Sequence, residues 1–263
     1  MKIKGEKNLG KIRVGKAGLN KYGSTMKVIE YNSYFDIYVE FLETGEVVKS
    51  TWQRFTNSDV RSDYDKVKCG IGYIGKGQYQ PYINGMLTTQ YATWSEMLRR
   101  CYDEKFQKMR PTYKGCTVDE SWHNFQNFAA WYDKNFYEID GERMELEKDI
   151  LIKGNKVYSP ETCVFAPHSI NSLFVKGNSI RGEFPIGVYR HTQTNKYIAQ
   201  CKISLNGVKK TINLGIYETP ERAFIAYKSY KENLIKQKAE NYKDKIPSKL
   251  YEAMINYKVE ITD

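Results

Sequence analysis

The chain has 263 residues, 41% of them hydrophobic, with 22 Tyr, 11 Phe and a net charge of +10. So many aromatic residues exclude a disordered chain, and no run of about 18 apolar residues is present to span a membrane. The basic opening, "MKIKGEKNLGKIRVGKAG", lacks an apolar core and a cleavage site, and the five cysteines (69, 101, 116, 163 and 201) are widely spaced without a C-x-x-C. Both features predict a cytoplasmic protein with reduced thiols.

Residues 1–85 hold 14 basic and 9 acidic side chains, residues 86–175 hold 11 and 13, and residues 176–263 hold 16 and 9. Basic ends around a slightly acidic middle suit a polyanionic partner such as nucleic acid. The lysines do not line one face of an amphipathic helix, so a membrane surface is not expected.

Residues 1–85 predict a small β-barrel used as an accessory module. In "TMKVIEYNSYFDIYVEF", Met26, Val28, Ile37 and Val39 fall on period-two positions, and "ETGE" marks a turn. "CGIGYIGKGQY" is glycine-rich but lacks the Walker spacing and its Lys-Ser/Thr, which predicts a tight inter-domain turn rather than a phosphate loop.

Residues 86–175 form the central module. Trp94, Met97, Leu98 and Cys101 share one helical face, with Thr93 and Glu96 spaced as a capping box. Trp122, Phe125, Phe128, Ala129 and Tyr132 predict a second buried helical face. "EKDILIKGNKVYSPETCVFAPHSIN" then predicts a strand, a turn, a second strand and a helix start. Cys101, Cys116, Cys163 and His123 could be weighed as a zinc set, but their spacing matches no knuckle.

Residues 176–263 predict a three-stranded antiparallel sheet packed on one helix, followed by a further helix. Asn206–Gly207 is a hairpin signal. "TPERAFIAYKSY" starts a helix with Thr219 as N-cap, Pro220 at the first position and Glu221 in the first turn. Its predicted buried face is Ala223, Ala226, Tyr227 and Tyr230. Alternation puts Ala199, Cys201, Ile203, Ile212 and Leu214 under that helix. It leaves Gln200, Lys202, Ser204, Lys209, Thr211 and Asn213 outward, joined by Tyr189 and His191 from the first strand. These side chains are donors and acceptors of the kind that meet phosphates and base edges.

"GVYRH…NKYIAQCKI…KKTINLGIYETPERAFIAYK" resembles the plant ethylene-response-factor (APETALA-type) DNA-binding domain over about sixty residues. The resemblance implies a sheet that lies in the major groove of double-stranded DNA. Tyr189, His191, Tyr197, Gln200, Lys202, Thr211 and Asn213 stand at the positions of its contacts. Several of those positions carry arginine or tryptophan in the plant domains, so the family's target site does not transfer.

"LEKD", "GNK" and "TCVFAPHSIN" resemble the core of an HNH-type endonuclease, as found fused to such domains in phage and homing endonucleases. The resemblance implies a ββα-metal-like module using Mg²⁺ or Mn²⁺. Glu147, Asp149 and Asn171 would be its metal ligands, with Asn155 as the orienting group and His168 as a further member of the site. Lys148 stands where the general-base histidine belongs. An unperturbed lysine, with a pKa of about 10.4, is a poor base near neutrality, and Glu147 and Asp149 beside it favour its charged form. Two outcomes stay open at this point. The chain is a DNA-binding nickase or endonuclease of phage or mobile-element type, or a non-cutting regulator or inhibitor of a host DNA-directed system. RNA binding through the aromatic-rich N-terminal segment is a third reading.

Overall fold

The computed structural model describes residues 12–175, 183–205, 208–261 and 263. The Asn206–Gly207 turn and most of the basic N-terminal stretch lie outside them. The chain is mixed α+β with several antiparallel sheets. It divides into two compact units, Met1–Lys134 and Asn135–Asp263, with the division inside the segment read as the central module. Among the described residues no helix is long and apolar enough to cross a membrane.

The first unit opens with β1 (Ala17–Leu19), β2 (Thr25–Ser33), β3 (Asp36–Phe41) and β4 (Glu46–Ser50), hydrogen-bonded in that order. The period-two residues pair across strands, Met26 with Phe41 and Val28 with Val39. All four are buried, together with Ile37, Phe55 and Val60. The barrel expected here is not closed. β1 is three residues long and bonds only to β2, while β4 bonds only to β3, so among the described residues the sheet keeps two edges. α1 (Trp52–Thr56) supplies Phe55 to its core.

Asp65 pins the following loop. Its buried carboxylate accepts from Asn20 Nδ2 at 2.8 and 2.9 Å, Ser24 Oγ at 2.7 Å and the Ser62 amide at 2.9 Å. The glycine-rich stretch is a packing device. A Cβ on Gly72 would lie 2.4 Å from Leu98, and one on Gly77 would lie 2.2 Å from Gln126 Oε1. Gln126 in turn holds the stretch, donating to the carbonyls of Ile74 and Tyr79 and accepting from the Tyr79 amide.

A hairpin of β5 (Tyr82–Ile83) and β6 (Met86–Leu87) leads into α2 (Thr89–Tyr102). Trp94, Met97, Leu98 and Cys101 are buried as their spacing predicts. The helix starts earlier than the Thr93 capping box suggested. Thr88 is the N-cap, accepting from the Tyr91 amide, and Thr93 lies inside the helix with its hydroxyl on the Thr89 carbonyl. The added turn is worth making because it brings Tyr91 against Trp94 and Phe125. α3 (Glu104–Met109) follows. Trp122 belongs to a separate 3-10 turn, Glu120–His123, and α4 (Phe125–Asn135) buries Phe125, Phe128, Ala129 and Tyr132.

After the two-residue β7 (Thr117–Val118) of the first unit, the second unit contains β8 (Met144–Glu147), the two-residue β9 (Val157–Tyr158) and β10 (Val164–Pro167); β8 pairs antiparallel with β10, which runs directly into α5 (His168–Asn171). The three-stranded sheet is β11 (Val188–Arg190), β12 (Tyr197–Leu205) and β13 (Val208–Tyr217), in that order. α6 (Pro220–Tyr242) starts as predicted, with Thr219 accepting from the Arg222 amide and Pro220 at its first position. Its first half seals the sheet: Ala223, Phe224 and Tyr227 share a buried cluster with Val188, Ala199 and Cys201. Its second half supplies Ile235 and Ala239 to a different cluster. That cluster also holds Val164 and Ala166 of β10, Ile170 of α5, and Leu250 and Met254 of α7 (Ser248–Ile255). One helix therefore serves both the sheet and the β8–β10–α5 motif.

Candidate functional site

Alternation along β8 sends Met144 and Leu146 one way and Glu145 and Glu147 the other. The turn from β10 into α5 then brings Asn171 and His168 over the two carboxylates. Asn171 Nδ2 donates to Glu145 Oε2 at 2.6 Å and to Glu147 Oε1 at 2.7 Å. His168 Nδ1 lies 3.0 Å from Glu145 Oε1, and Arg143 Nη2 donates to that same oxygen and stands 3.2 Å from His168 Nδ1. Burial works against the charge on Glu145, but the bonds from Asn171, Arg143 and His168 outweigh it and hold its pKa below the ordinary carboxylate range.

The structure thus brings together three of the predicted residues, Glu147, Asn171 and His168, and adds Glu145. The signal for Glu145 was present: in "MELEKD" it sits two residues before Glu147, on the same strand face. Asp149 and Lys148 are engaged with each other instead. Lys148 is buried, its Nζ 3.3 Å from Asp149 Oδ2 and 5.6 Å from the centre of the Tyr158 ring. Asn155 acts on backbone, donating to the carbonyls of Lys148 and Val157 at 2.7 Å and accepting from the Val157 amide. It closes the 148–157 loop and fixes the Lys148 backbone rather than the Lys148 ammonium.

Two carboxylates and one amide converge here. Turning the Asn171 amide half a turn about its last bond would present its oxygen, giving an all-oxygen donor set. Mg²⁺ and Mn²⁺ favour such donors, and Mg²⁺ commonly takes only one or two carboxylates plus water and substrate phosphate. The residues therefore fit a hard divalent cation, although among the described residues no three of His, Cys, Asp and Glu form a cage. Cys101, Cys116, Cys163 and His123 likewise form no such cage among the described residues.

A second network secures α5. Glu142 accepts from Ser169 Oγ at 2.5 Å and from Tyr242 OH of α6 at 2.6 Å. Burial raises the Glu142 pKa, but these bonds bring it below the ordinary value. A carboxyl with a lowered folded-state pKa stabilises the fold above the unfolded value of about 4.3 and loses that contribution as pH falls through the lowered one. Glu142→Gln is thus expected to lower the melting temperature at neutral pH, with the deficit shrinking under acid. Thermal melts across that range test it, and a deficit that does not change with pH would exclude the linkage.

On the three-stranded sheet the predicted outward residues form cross-strand pairs: Gln200 with Asn213 and Lys202 with Thr211. Lys202, Lys209, Thr211 and Asn213 are exposed, Gln200 is half-buried, and Ala199 and Cys201 are buried beneath α6. Tyr189, 45% exposed, pairs with Ile198, which pairs in turn with Ile216. Tyr197 does not join this face. It packs edge-on to Phe184 at 5.2 Å within the core-side cluster, because it shares the alternation of Ala199 and Cys201. His191 lies at the end of β11, its Nδ1 2.9 Å from Thr194 Oγ1 in the connection to β12.

A bulge interrupts β13, shifting the register between Ala199–Gly215 and Gln200–Asn213. Gly215 has φ +123 there, and its amide donates to Asn213 Oδ1 at 3.0 Å. No family model, curated protein or solved structure matches this chain.

Proposed function

We propose that the chain binds double-stranded DNA through the outer face of β11–β13, as a protein of phage or mobile-element type related to HNH homing endonucleases. The observation that carries this reading is the outward row Gln200–Asn213 and Lys202–Thr211, with Lys209 beside it. The three strands carry four Lys and Arg and no Asp or Glu, so phosphates meet no repulsion from the sheet itself. Amides, hydroxyls and ammonium groups on a sheet are the groups that position a duplex and read its edges. Fluorescence anisotropy of labelled duplex against salt concentration tests it. Lys202→Ala is expected to weaken binding to all sequences alike and to lower the salt slope by about one ion. An unchanged slope removes Lys202 from the interface. A parallel titration with single-stranded RNA separates the DNA reading from an RNA-binding one, which tighter RNA binding would favour.

A second reading, strand nicking, rests on the bridge from Asn171 to Glu145 and Glu147. Glu147 and Asn171 would hold Mg²⁺ or Mn²⁺, which would neutralise charge developing on the leaving oxygen. Lys148, paired with Asp149 at 3.3 Å, stands in the place of the imidazole base, and the non-cutting regulator or inhibitor is the alternative. Metal-dependent nicking of supercoiled plasmid separates the two.

A further inference from the structure

We infer that the outer sheet face is built to read A·T base pairs. The inference rests on the DNA-binding reading above and names the sequence class of its target. The face is graded along β12. At one end Tyr189, Ile198 and Ile216 lie in one cross-strand row, with Ile216 49% exposed. The next row holds two amides, Gln200 and Asn213, and the row after it holds Lys202 and Thr211.

Two of the three rows have a base counterpart in the major groove. A glutamine or asparagine amide matches adenine N6 and N7 as paired donor and acceptor, while an apolar side chain matches the C5 methyl of thymine. Asn213 Oδ1 uses one lone pair on the Gly215 amide, which orients the amide and leaves a lone pair and two N–H donors for a base. No arginine is offered to guanine on this face, and Lys202 serves as the phosphate contact of the DNA-binding reading above. Arg190, the one arginine on these strands, pairs with Tyr197 on the core-side row, and its Nη2 donates to Asn195 Oδ1 at 2.7 Å.

The bulge makes the apolar row possible. Without the extra residue at Leu214–Gly215, Ile216 would keep the alternation of Ile212 and Leu214 and turn toward α6. With it, Ile216 stands opposite Ile198 on the face that carries Gln200. Residues two apart on a strand are about 6.7 Å apart, or about two base steps of 3.4 Å. With β12 lying along the groove, the geometry calls for thymine about two steps from adenine.

Selection of duplexes from a random pool by the full-length protein tests this, followed by anisotropy on the winning duplex with thymine replaced by uracil. Enrichment of A·T pairs is expected, with about fourfold weaker binding for each contacted methyl removed. Ile216→Ser, at an exposed position and checked for folding by circular dichroism, is expected to make binding indifferent to the uracil exchange. Gln200→Ala is expected to relax the preference for adenine. Tight binding with G·C enrichment, or with no response to uracil, Ile216→Ser and Gln200→Ala, overturns the inference while leaving DNA binding intact. Failure to bind any duplex at low salt overturns the DNA-binding reading and this inference with it.

Discussion

Gly187→Ala is expected to unfold the sheet-to-helix packing of the second unit. Gly187 precedes β11 with φ +77, and a Cβ there would lie 2.1 Å from Cδ2 and 2.4 Å from Cγ of Tyr227. The ring cannot yield easily, because Tyr227 is buried among Val188, Ala199, Ala223 and Phe224. Alanine in the left-handed region costs about 1–2 kcal/mol, and overpacking adds about 1–3 kcal/mol. A combined loss of about 2–5 kcal/mol is a large share of the 5–15 kcal/mol that holds a typical domain. Urea denaturation read by the far-ultraviolet signal measures it. A midpoint indistinguishable from wild type would mean that the strand end moves away from α6 without cost. Because the other half of α6 covers β10 and α5, the loss is expected to spread to the Glu145–Glu147–Asn171 cluster rather than stay within the sheet.

The second large effect concerns cleavage. Supercoiled plasmid incubated with the protein and Mn²⁺ or Mg²⁺ is expected to be nicked slowly, and chelation is expected to stop it. A positioned general base commonly contributes about 10²–10⁴-fold, so Lys148 in place of an imidazole predicts a rate reduced on that scale. Glu147→Gln keeps the shape and the hydrogen bond from Asn171 but removes the charge. Losing several kcal/mol of electrostatic stabilisation corresponds to about a hundredfold or more in rate. The same variant is expected to bind duplex as wild type does, since Glu147 lies on β8 and not on the three-stranded sheet. Plasmid that stays supercoiled at every metal concentration removes the nicking reading and favours the non-cutting regulator. Nicking that Glu147→Gln leaves untouched places the chemistry elsewhere.

Much of the fold was legible because side-chain alternation and helix starts are local. Met26, Val28, Ile37 and Val39 in the first sheet, Ala199 and Cys201 beneath α6, and the Thr219–Pro220 helix start all follow from neighbours within a few residues. The same logic located the donors on the outer face of the C-terminal sheet. It misled where the contact deciding the outcome is distant. Thr93 had a capping pattern, but Tyr91 reaching Phe125, far along the chain, moved the helix start to Thr88. A barrel was expected from strand content, but closure needs first and last strands that meet, and β1 is too short to extend the sheet further.

The sequence alone determined which faces are greasy and which are polar, because strand and helix periods impose that pattern wherever the element ends up. Only the tertiary structure decided which polar residues meet. Asn171 lies more than twenty positions from Glu145 and Glu147, and their convergence depends on the β8–β10 register and on α5 docking under α6. The turning of Ile216 to the outer face depends on a single extra residue that alternation cannot anticipate. The division of α6 between two cores is likewise a matter of long-range burial, which no local pattern encodes.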